Sequence, residues 1–372
     1  MFRPTLVSIP SLAPKLLSAT LGVTQTNTSV DITLTVDVTT HGTTTYTWYK
    51  DSAYYSATST NTVTYAANTS ASTWYVVVST PYGNATTTAV VVNSSYYAVS
   101  VIVNPIVDAI TAAGTTVPSA DVTAITNFVI AGTTAGWWSK LVACYGVYGG
   151  TANSGAAAAI NWKSPGTYNV TWSGNPTFNS LGVKSSDYKG KGLLSGLTYG
   201  PGRILEYSDI SLSAYIKSGT RGGSDGDVYW ISAIGDINSS EWANAGAELG
   251  YSKSATGFAL INVSTSNWGN YGHFAYSAGA VRSNSLYIGQ RAANVQTLIL
   301  NGSAVKTDTL STHNDSSLIG NSFYLMTGGA LRHYFMASND QHGFFSLGHA
   351  MSSAEITSFN TAVHALMTAF GR

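Results

Sequence analysis

The sequence has little charge of either sign and almost no cysteine. Charged residues make up 9% of its 372 residues, against about 25% in ordinary soluble domains. The 17 lysines and arginines balance the 17 aspartates and glutamates, so the chain lacks the concentrated basic surface that nucleic-acid binding requires. Because Cys144 is the single cysteine, an intramolecular disulfide is excluded.

Long apolar runs are also missing. No stretch approaches the roughly 18 consecutive apolar residues of a transmembrane helix. Near the N-terminus, Pro4, Pro10, Pro14 and Lys15 interrupt any apolar run of signal-peptide length. We therefore expect a protein made in the cytoplasm, without a signal peptide and without insertion into a membrane.

The sequence is rich in apolar and aromatic residues. Hydrophobic residues reach 44%, and tyrosine alone occurs 23 times, which argues against disorder and predicts a sizeable core. With so little charge, the surface has to be hydrated by Ser, Thr, Asn and Gly. Such surfaces are common in extracellular and particle-borne β-proteins.

The first hundred residues alternate between apolar and polar with a period of two. Val30 to Val38 shows the pattern most clearly, since its apolar residues fall on one face and its polar residues on the other. The pattern recurs at short spacing in further segments, namely Thr44 to Lys50, Asn61 to Tyr65, Thr73 to Thr80 and Thr86 to Val92. Short strands at these intervals predict a β-sandwich.

Two aromatic positions make this region resemble an immunoglobulin-like module. Trp48 matches the core tryptophan of the third strand, and Tyr75 matches the tyrosine-corner position. Val77 stands where the second disulfide cysteine would be. Immunoglobulin-like modules without a disulfide are typical of bacterial and phage proteins assembled in a reducing cytoplasm.

Helices are predicted at three places after this module. Residues 96–118 are expected to form a connector, followed by a helix capped by Ser119 and a second short helix across Gly136 to Ala143. From Ala156 to Gly348 the pattern is again that of strands, with a hairpin turn at Asn301-Gly302. The chain ends in a predicted helix at 353–370, which begins with the capping box Ser352-Ser353-Ala354-Glu355.

Three segments in this order resemble a family of tailed-bacteriophage virion proteins that carry a concanavalin A-like lectin/glucanase (laminin G-like) domain. They are Asn127–Gly132 with Gly136–Leu141, Tyr148–Ala152 leading to Ala159–Pro165, and Phe345–Ser352 with Glu355 and Ala369–Arg372. They match the family's leading helices, first strand, closing strand and final helix. The resemblance covers roughly residues 118 to 372 and implies a two-sheet antiparallel jelly roll carried on phage particles.

The expected fold is therefore all-β, with an immunoglobulin-like β-sandwich followed by a concanavalin A-like jelly roll. We assign residues 1–95 to the sandwich with an N-terminal arm, 96–118 to the connector, and 119–372 to the jelly roll. Short helices at 119–143 and the C-terminal helix at 353–370 would flank the jelly roll.

No pattern in the sequence points to catalysis. Retaining glucanases of this fold use a Glu-x-Asp-x-x-Glu strand, which is absent here. A Gly-x-Ser-x-Gly elbow and a phosphate-binding Gly-Lys-Ser/Thr loop are absent as well. The seven histidines are scattered without the spacing of a zinc site. We expect no enzymatic activity and no cofactor.

Two kinds of binding site are nevertheless conceivable from the residues. Lectins stack aromatic rings on sugars and bind sugar hydroxyls through Asn and Asp. Asn267, Trp268 and Tyr271 offer this combination on a Gly-broken loop, and Trp242 lies in a second candidate segment. Asp225 and Asp227 are weak candidates for a calcium ion, because the loop lacks the spacing of a known calcium motif.

The resemblance and the missing catalytic patterns together predict a non-enzymatic structural protein on the virion surface. It would be a tail fibre or another tail-associated or surface-decorating component that contacts host-surface glycans. The alternative is a capsid decoration (cement or head-fibre) protein without glycan binding, and a secreted carbohydrate-binding module or glucanase ranks third. The expected partners are other virion proteins, host-surface polysaccharide and further copies of the chain. Since phage fibres are commonly symmetric multimers, the resemblance favours a trimer.

Overall fold

The chain forms two compact units, Met1–Asn104 and Pro105–Arg372, in a computed structural model. The structure describes residues 21–25, 31–36, 43–66, 72–81, 83–87, 89–92, 95–184, 191–198, 202–206, 208–218, 230–236, 247–252, 256–261, 274–277, 283–309, 322–326, 335–337 and 341–372. The division between the units falls within the predicted connector 96–118. Most of that segment is a helix, α1 (Ser95–Ala112), whose buried residues Val103, Ile106, Val107 and Ile110 recur at helical spacing.

The first unit consists of antiparallel strands in two sheets. Its strands are β1 (Leu21–Gln25), β2 (Asp31–Val36), β3 (Thr45–Lys50), β4 (Ala53–Thr58), β5 (Thr62–Ala66), β6 (Ser72–Thr80), β7 (Gly83–Thr86) and β8 (Val90–Val92). One sheet has the order β1-β2-β5, and the other has the order β4-β3-β6-β7 with β8 also on β6. These orders correspond to strands A-B-E and C′-C-F-G of the immunoglobulin fold, which confirms the predicted fold class.

The register of β6 corrects two assignments made from the sequence. Trp48 is fully buried, as expected for the core tryptophan. On β6, however, Trp74, Val76 and Val78 are the buried residues, so Tyr75 and Val77 lie on the opposite face. The positions assigned as tyrosine corner and disulfide cysteine were therefore one residue out of phase, because the continuous apolar run of β6 does not reveal its inner face.

The second unit is a two-sheet jelly roll with helices. Its helices are α2 (Ser119–Ala135), α3 (Trp137–Lys140), α4 (Gly155–Ala158) and α5 (Ser353–Ala369). Its strands are β9 (Leu141–Tyr145), β10 (Val170–Ser173), β11 (Thr177–Asn179), β12 (Gly182–Lys184), β13 (Lys191–Thr198), β14 (Asp209–Ser218), β15 (Trp230–Asp236), β16 (Ala247–Ser252), β17 (Thr256–Ile261), β18 (Phe274–Ser277), β19 (Ser285–Ala292), β20 (Val295–Leu300), β21 (Ser303–Thr309), β22 (Ser322–Leu325), β23 (Phe335–Ala337) and β24 (Gln341–Gly348).

The two sheets enclose the main core of this unit. One sheet runs β10-β13-β22-β15-β16-β17-β18, and β23 pairs with β15 in parallel. The other, which we call the helix-covered sheet, runs β11-β12-β24-β14-β19-β20-β21 with β9 on β24. Leu212 and Phe345 of the helix-covered sheet and Leu194, Leu249 and Phe323 of the opposite sheet belong to the shared core.

Helices α2 and α5 cover the outer face of the helix-covered sheet. The ring of Phe344 on β24 lies 5.7 Å from that of Phe128 on α2 and 5.9 Å from that of Phe359 on α5. The predicted capping box of α5 is present, since Ser352 Oγ accepts from Glu355 N and Glu355 Oε2 accepts from Ser352 N. The predicted C-terminal helix is confirmed to within one residue at its end.

Near the start of this unit one predicted helix boundary and one predicted strand differ from the structure. The short helix expected across 136–143 ends at Lys140, and Leu141 is already extended and begins β9, which pairs with β24. Segment 148–165, matched to the family's first strand, contains a 3₁₀ turn and α4 instead of a strand. Small residues occupy most of this segment, so it has little β-branched surface to form a strand.

Candidate functional site

The structure leaves the candidates named from the sequence untested. Asn267, Trp268, Tyr271 and Trp242 lie outside the described residues, as do the calcium candidates Asp225 and Asp227. These assignments stay predictions. The candidate surface among the described residues lies in the first unit, on the sheet formed by β4, β3 and β6.

Three tyrosines form one cross-strand row on this sheet. Tyr54 on β4 pairs with Tyr49 on β3, which pairs with Tyr75 on β6. The rings of Tyr49 and Tyr75 are parallel, with centroids 4.7 Å apart and an interplanar angle of 4°. The ring of Tyr54 stands almost perpendicular to that of Tyr49, at 6.4 Å and 87°. We call Tyr54, Tyr49 and Tyr75 the tyrosine row.

The alternation of β3 and β6 turns the tyrosine row away from the core. Trp48, Trp74 and Val76 are fully buried, so the residues between them on each strand face outward. Tyr49 and Tyr75 remain partly exposed. Tyr54 is 65% exposed, the largest value among the exposed large hydrophobic residues that the structure describes. The row is thus an aromatic surface on a sheet whose other face is packed.

A tight turn sets the pairing of Tyr49 with Tyr54. Lys50 pairs with Ala53, so the hairpin loop has two residues, Asp51 and Ser52, with φ of 51° and 66°. Two positive φ values are typical of a type I′ turn. The Tyr49–Tyr54 pair follows directly from this turn, and the register then shifts between Trp48 and Tyr49, so that the bulge places Ser56 rather than Tyr55 opposite Trp48.

Asp51 fastens this hairpin to the neighbouring strand. Its backbone N–H donates to Thr73 O at 2.8 Å, and its carboxylate Oδ1 accepts from Thr73 N at 2.8 Å. Both bonds restrain the turn next to β6, where Tyr75 follows two residues later. The geometry of the tyrosine row is therefore held by backbone pairing and by a charge-assisted hydrogen bond.

The next aromatic pair lies at the edge of the same hairpin. Tyr55 meets the buried Trp74 edge-on, with ring centroids 4.8 Å apart. Lys50 Nζ lies 5.8 Å from the centroid of the Trp74 ring, which is within cation–π distance. The ammonium group of Lys50 is thus directed to the Trp74 ring, on the face of the sheet opposite to the tyrosine row.

The tyrosine row suits sugars better than it suits ions. An exposed aromatic ring offers an apolar face, and each phenol adds a hydroxyl that both donates and accepts hydrogen bonds. Since Tyr49 and Tyr75 cover one another's faces, Tyr54 supplies the most accessible ring. Strand Thr44 to Lys50 was predicted from the sequence, but its hairpin partner β4 was not, and the row depends on a two-residue turn that the sequence did not signal.

The second unit contains a charged cluster around the loop from β24 to α5. His349 Nδ1 lies 2.9 Å from Asp209 Oδ2, and Lys140 Nζ lies 2.8 Å from Glu355 Oε2. Ala350 joins the two pairs, because its N–H donates to Asp209 Oδ1 and its carbonyl accepts from Lys140 Nζ. Partial burial acts to raise the pKa of Glu355, but hydrogen bonds from Lys140 and Ser352 outweigh it and lower this pKa. The cluster fixes the start of α5.

Arg372 is a buried cation whose guanidinium binds backbone oxygens. Its guanidinium donates to the carbonyls of Gly146, Val147, Ser180 and Gly343 at 2.7–3.1 Å. Burial lowers its pKa to about 10. Val147 is held at a φ of 44°, which is rare for a β-branched residue, so Arg372 stabilises a strained segment.

A surface groove lies between α2 and α5. Its volume is about 490 Å³, and it is lined by small and apolar side chains such as Ala124, Ala131, Thr361 and Ala365. No charged side chain lines it, and its polar groups are those of Asn127, Thr357, Ser358 and Thr361.

The described residues contain neither a metal-binding cluster nor a membrane-spanning helix. No group of three or more His, Cys, Asp and Glu side chains in the part that the structure describes is arranged to hold a metal ion. No helix among the described residues is long and apolar enough to cross a membrane.

Comparison with known proteins gives only distant likenesses. No known family profile matches the sequence, and no curated protein is detectably similar to it. Among solved structures, a Trypanosoma rangeli sialidase in complex with 2,3-difluorosialic acid matches at 10% identity and a TM-score of 0.42, over 78% of this chain and 42% of the sialidase.

Botulinum neurotoxins give similar values. A type C structure, described by its dependence on two ganglioside molecules for cell entry, matches at 11% identity and a TM-score of 0.42, over 62% of this chain and 53% of that one. The binding domain of neurotoxin DC in complex with SialylT matches at 12% identity and a TM-score of 0.40, over 61% and 52%. This chain thus spans about half the length of these proteins or less.

Proposed function

We propose that this chain is a non-enzymatic structural protein of a phage particle that contacts glycans through the tyrosine row. The observation that carries the proposal is an exposed aromatic row on a sheet whose opposite face is packed. Stacking against a sugar needs a ring that is open to solvent yet held in place. Tyr54 meets the first condition by its 65% exposure and the second through its pairing with Tyr49.

The particle-borne role rests on the sequence resemblance of residues 118–372 to phage virion proteins. The low charge of the chain is in keeping with it, because 9% charged residues leave little repulsion between neighbouring copies. In this proposal the protein lies on the virion surface, associates with itself and with other virion proteins, and uses no cofactor. Trimerisation is the expectation that follows from the resemblance.

Glycan-array binding by the full chain tests the glycan part. Wild-type protein should bind a subset of glycans, and Tyr54→Ala should lose at least about tenfold in affinity, since about 1.4 kcal/mol corresponds to a factor of ten. Tyr54→Phe should keep most of the affinity because it retains the ring face. Thr45→Ala is the matched control, since Thr45 is exposed and lies on the same face of β3.

Each outcome bears on the proposal. Loss of binding in Tyr54→Ala with normal binding by Thr45→Ala supports the tyrosine row as the contact. Equal binding by wild type and Tyr54→Ala would place the glycan contact elsewhere, and Trp268 and Tyr271 would then be the residues to replace. Mass spectrometry of purified phage particles tests the virion role. Particles that do not contain this chain would refute it.

A further inference from the structure

We infer that the ligand of the tyrosine row is a neutral glycan, bound through at least two consecutive sugar rings, with little dependence on salt. This inference rests on the proposed function and specifies its ligand. It follows from the scarcity of charge around the row and from the arrangement of the three rings.

The first unit holds very few charges with which to attract an anionic sugar. Its 104 residues contain six charged side chains, namely Arg3, Lys15, Asp31, Asp37, Lys50 and Asp51. Of the two beside the tyrosine row, Lys50 lies over the ring of Trp74, whose side chain is buried on the opposite face. Asp51 is exposed and negative, so it would repel a sialylated, sulfated or carboxylated glycan.

The ring arrangement determines how a sugar chain would lie. Tyr49 and Tyr75 stack on one another, so no sugar enters between them, and Tyr54 provides the open face. A sugar stacked on Tyr54 would have its neighbour beside the Tyr49–Tyr75 pair, whose centroids lie 6.4 Å and a further 4.7 Å along the row. The next ring would then meet phenolic hydroxyls, which hydrogen-bond to neutral sugar hydroxyls.

The experiment compares neutral polysaccharides with charged derivatives of the same backbone. We would measure binding of the full chain to laminarin and to a neutral galactan, each unmodified and sulfated, at about 0.01 M and about 1 M salt, where the Debye length falls from about 30 Å to about 3 Å. The neutral form should bind at least about fivefold more tightly than its sulfated form at low salt. Its affinity should change less than about twofold with salt, since no ion pair is screened.

Asp51→Asn supplies the matched variant, because an Asn side-chain oxygen can still accept from Thr73 N. In Asp51→Asn the ratio of sulfated to neutral binding should rise at low salt, because the carboxylate that repels the sulfate groups is gone. Tyr54→Ala should lose the neutral polysaccharide.

The outcomes separate this inference from the proposed function. A preference for the sulfated form that Tyr54→Ala abolishes would overturn the neutral-ligand inference while the tyrosine row remained a glycan site. Binding that is unaffected by Tyr54→Ala, or no binding to any polysaccharide or array glycan, would overturn both. A preference for a single sugar over its oligomers would refute the requirement for consecutive rings.

Discussion

His342 should make the second unit lose stability on mild acidification. The residue lies on β24, is 0% exposed, and stacks on Phe345 with ring centroids 5.1 Å apart. Neither ring nitrogen has a hydrogen-bond partner among the described residues. Burial disfavours the charged imidazolium and lowers the pKa of His342 from 6.5 to about 3.

The lowered pKa sets the sign and size of the effect. Because the unfolded chain takes up the proton near pH 6.5 and the folded unit does not, the contribution is complete above pH 6.5. It is lost progressively as the pH falls from there to about 3. The slope is about 1.4 kcal/mol per pH unit, so a fall of two units below 6.5 costs about 2.7 kcal/mol.

Urea unfolding of the full chain, followed by tryptophan fluorescence at about pH 7.5 and about pH 4.5, measures this loss. His342→Phe keeps a ring against Phe345 and cannot be protonated, and His342→Leu is the smaller control. Either variant should remove about 2.7 kcal/mol of the pH dependence, while other titrating groups such as Glu355 contribute equally and cancel in the difference. An identical pH dependence in wild type and both variants would refute this reasoning.

Three further experiments test the packing of the second unit. Phe359→Asp places a charge where a fully buried ring lies and should lower the unfolding free energy by more than about 3 kcal/mol. Its control, Thr357→Asp at an exposed position of α5, should change the unfolding free energy by less than about 0.5 kcal/mol. Equal effects of the two in thermal unfolding would mean that the buried face of α5 is wrongly assigned. Arg372→Lys should cost at least about 2 kcal/mol in urea unfolding, because three ammonium protons cannot serve four carbonyls and a buried acceptor left unpaired costs about 1–3 kcal/mol. An unchanged urea midpoint would show that the hydrogen bonds of Arg372 to these carbonyls do not stabilise the unit. Gly132→Ala should destabilise the second unit by about 1 kcal/mol or more despite a helix-propensity gain of about 1 kcal/mol, since its Cβ would lie 2.7 Å from the ring of Trp137. A rise in the melting temperature would show that the Trp137 ring can move to accommodate the methyl group.

The sequence predicted elements best where a local rule decides the structure. The capping box at Ser352 and the Asn301-Gly302 hairpin depend on a few neighbouring residues, and both are present. Helix α1 was missed because Pro105 stands inside it and its apolar residues were interpreted as a connector. The strand Leu141–Tyr145 was missed because its extended form depends on pairing with β24, which lies some 200 residues away along the chain.

The candidate site shows the same limit. The aromatic residues of this sheet are visible in the sequence, yet the arrangement of the tyrosine row depends on the two-residue turn before β4 and on the register of β6. The run Trp74-Tyr75-Val76-Val77-Val78 is apolar throughout, so its period does not distinguish the two faces. Only the burial of Trp74 and Val76 places Tyr75 outside, in the row with Tyr49.

The helix-covered sheet has a consequence for how the second unit opens to solvent. Strand β24 is buried at every position, and β14 is buried from Ile210 to Ile216. They lie side by side between further strands, with the second sheet on one face and α2 and α5 on the other. Local fraying cannot reach their backbone amides, so these two strands should form the slowest-exchanging hydrogen-exchange core, with protection that approaches the free energy of unfolding the whole unit.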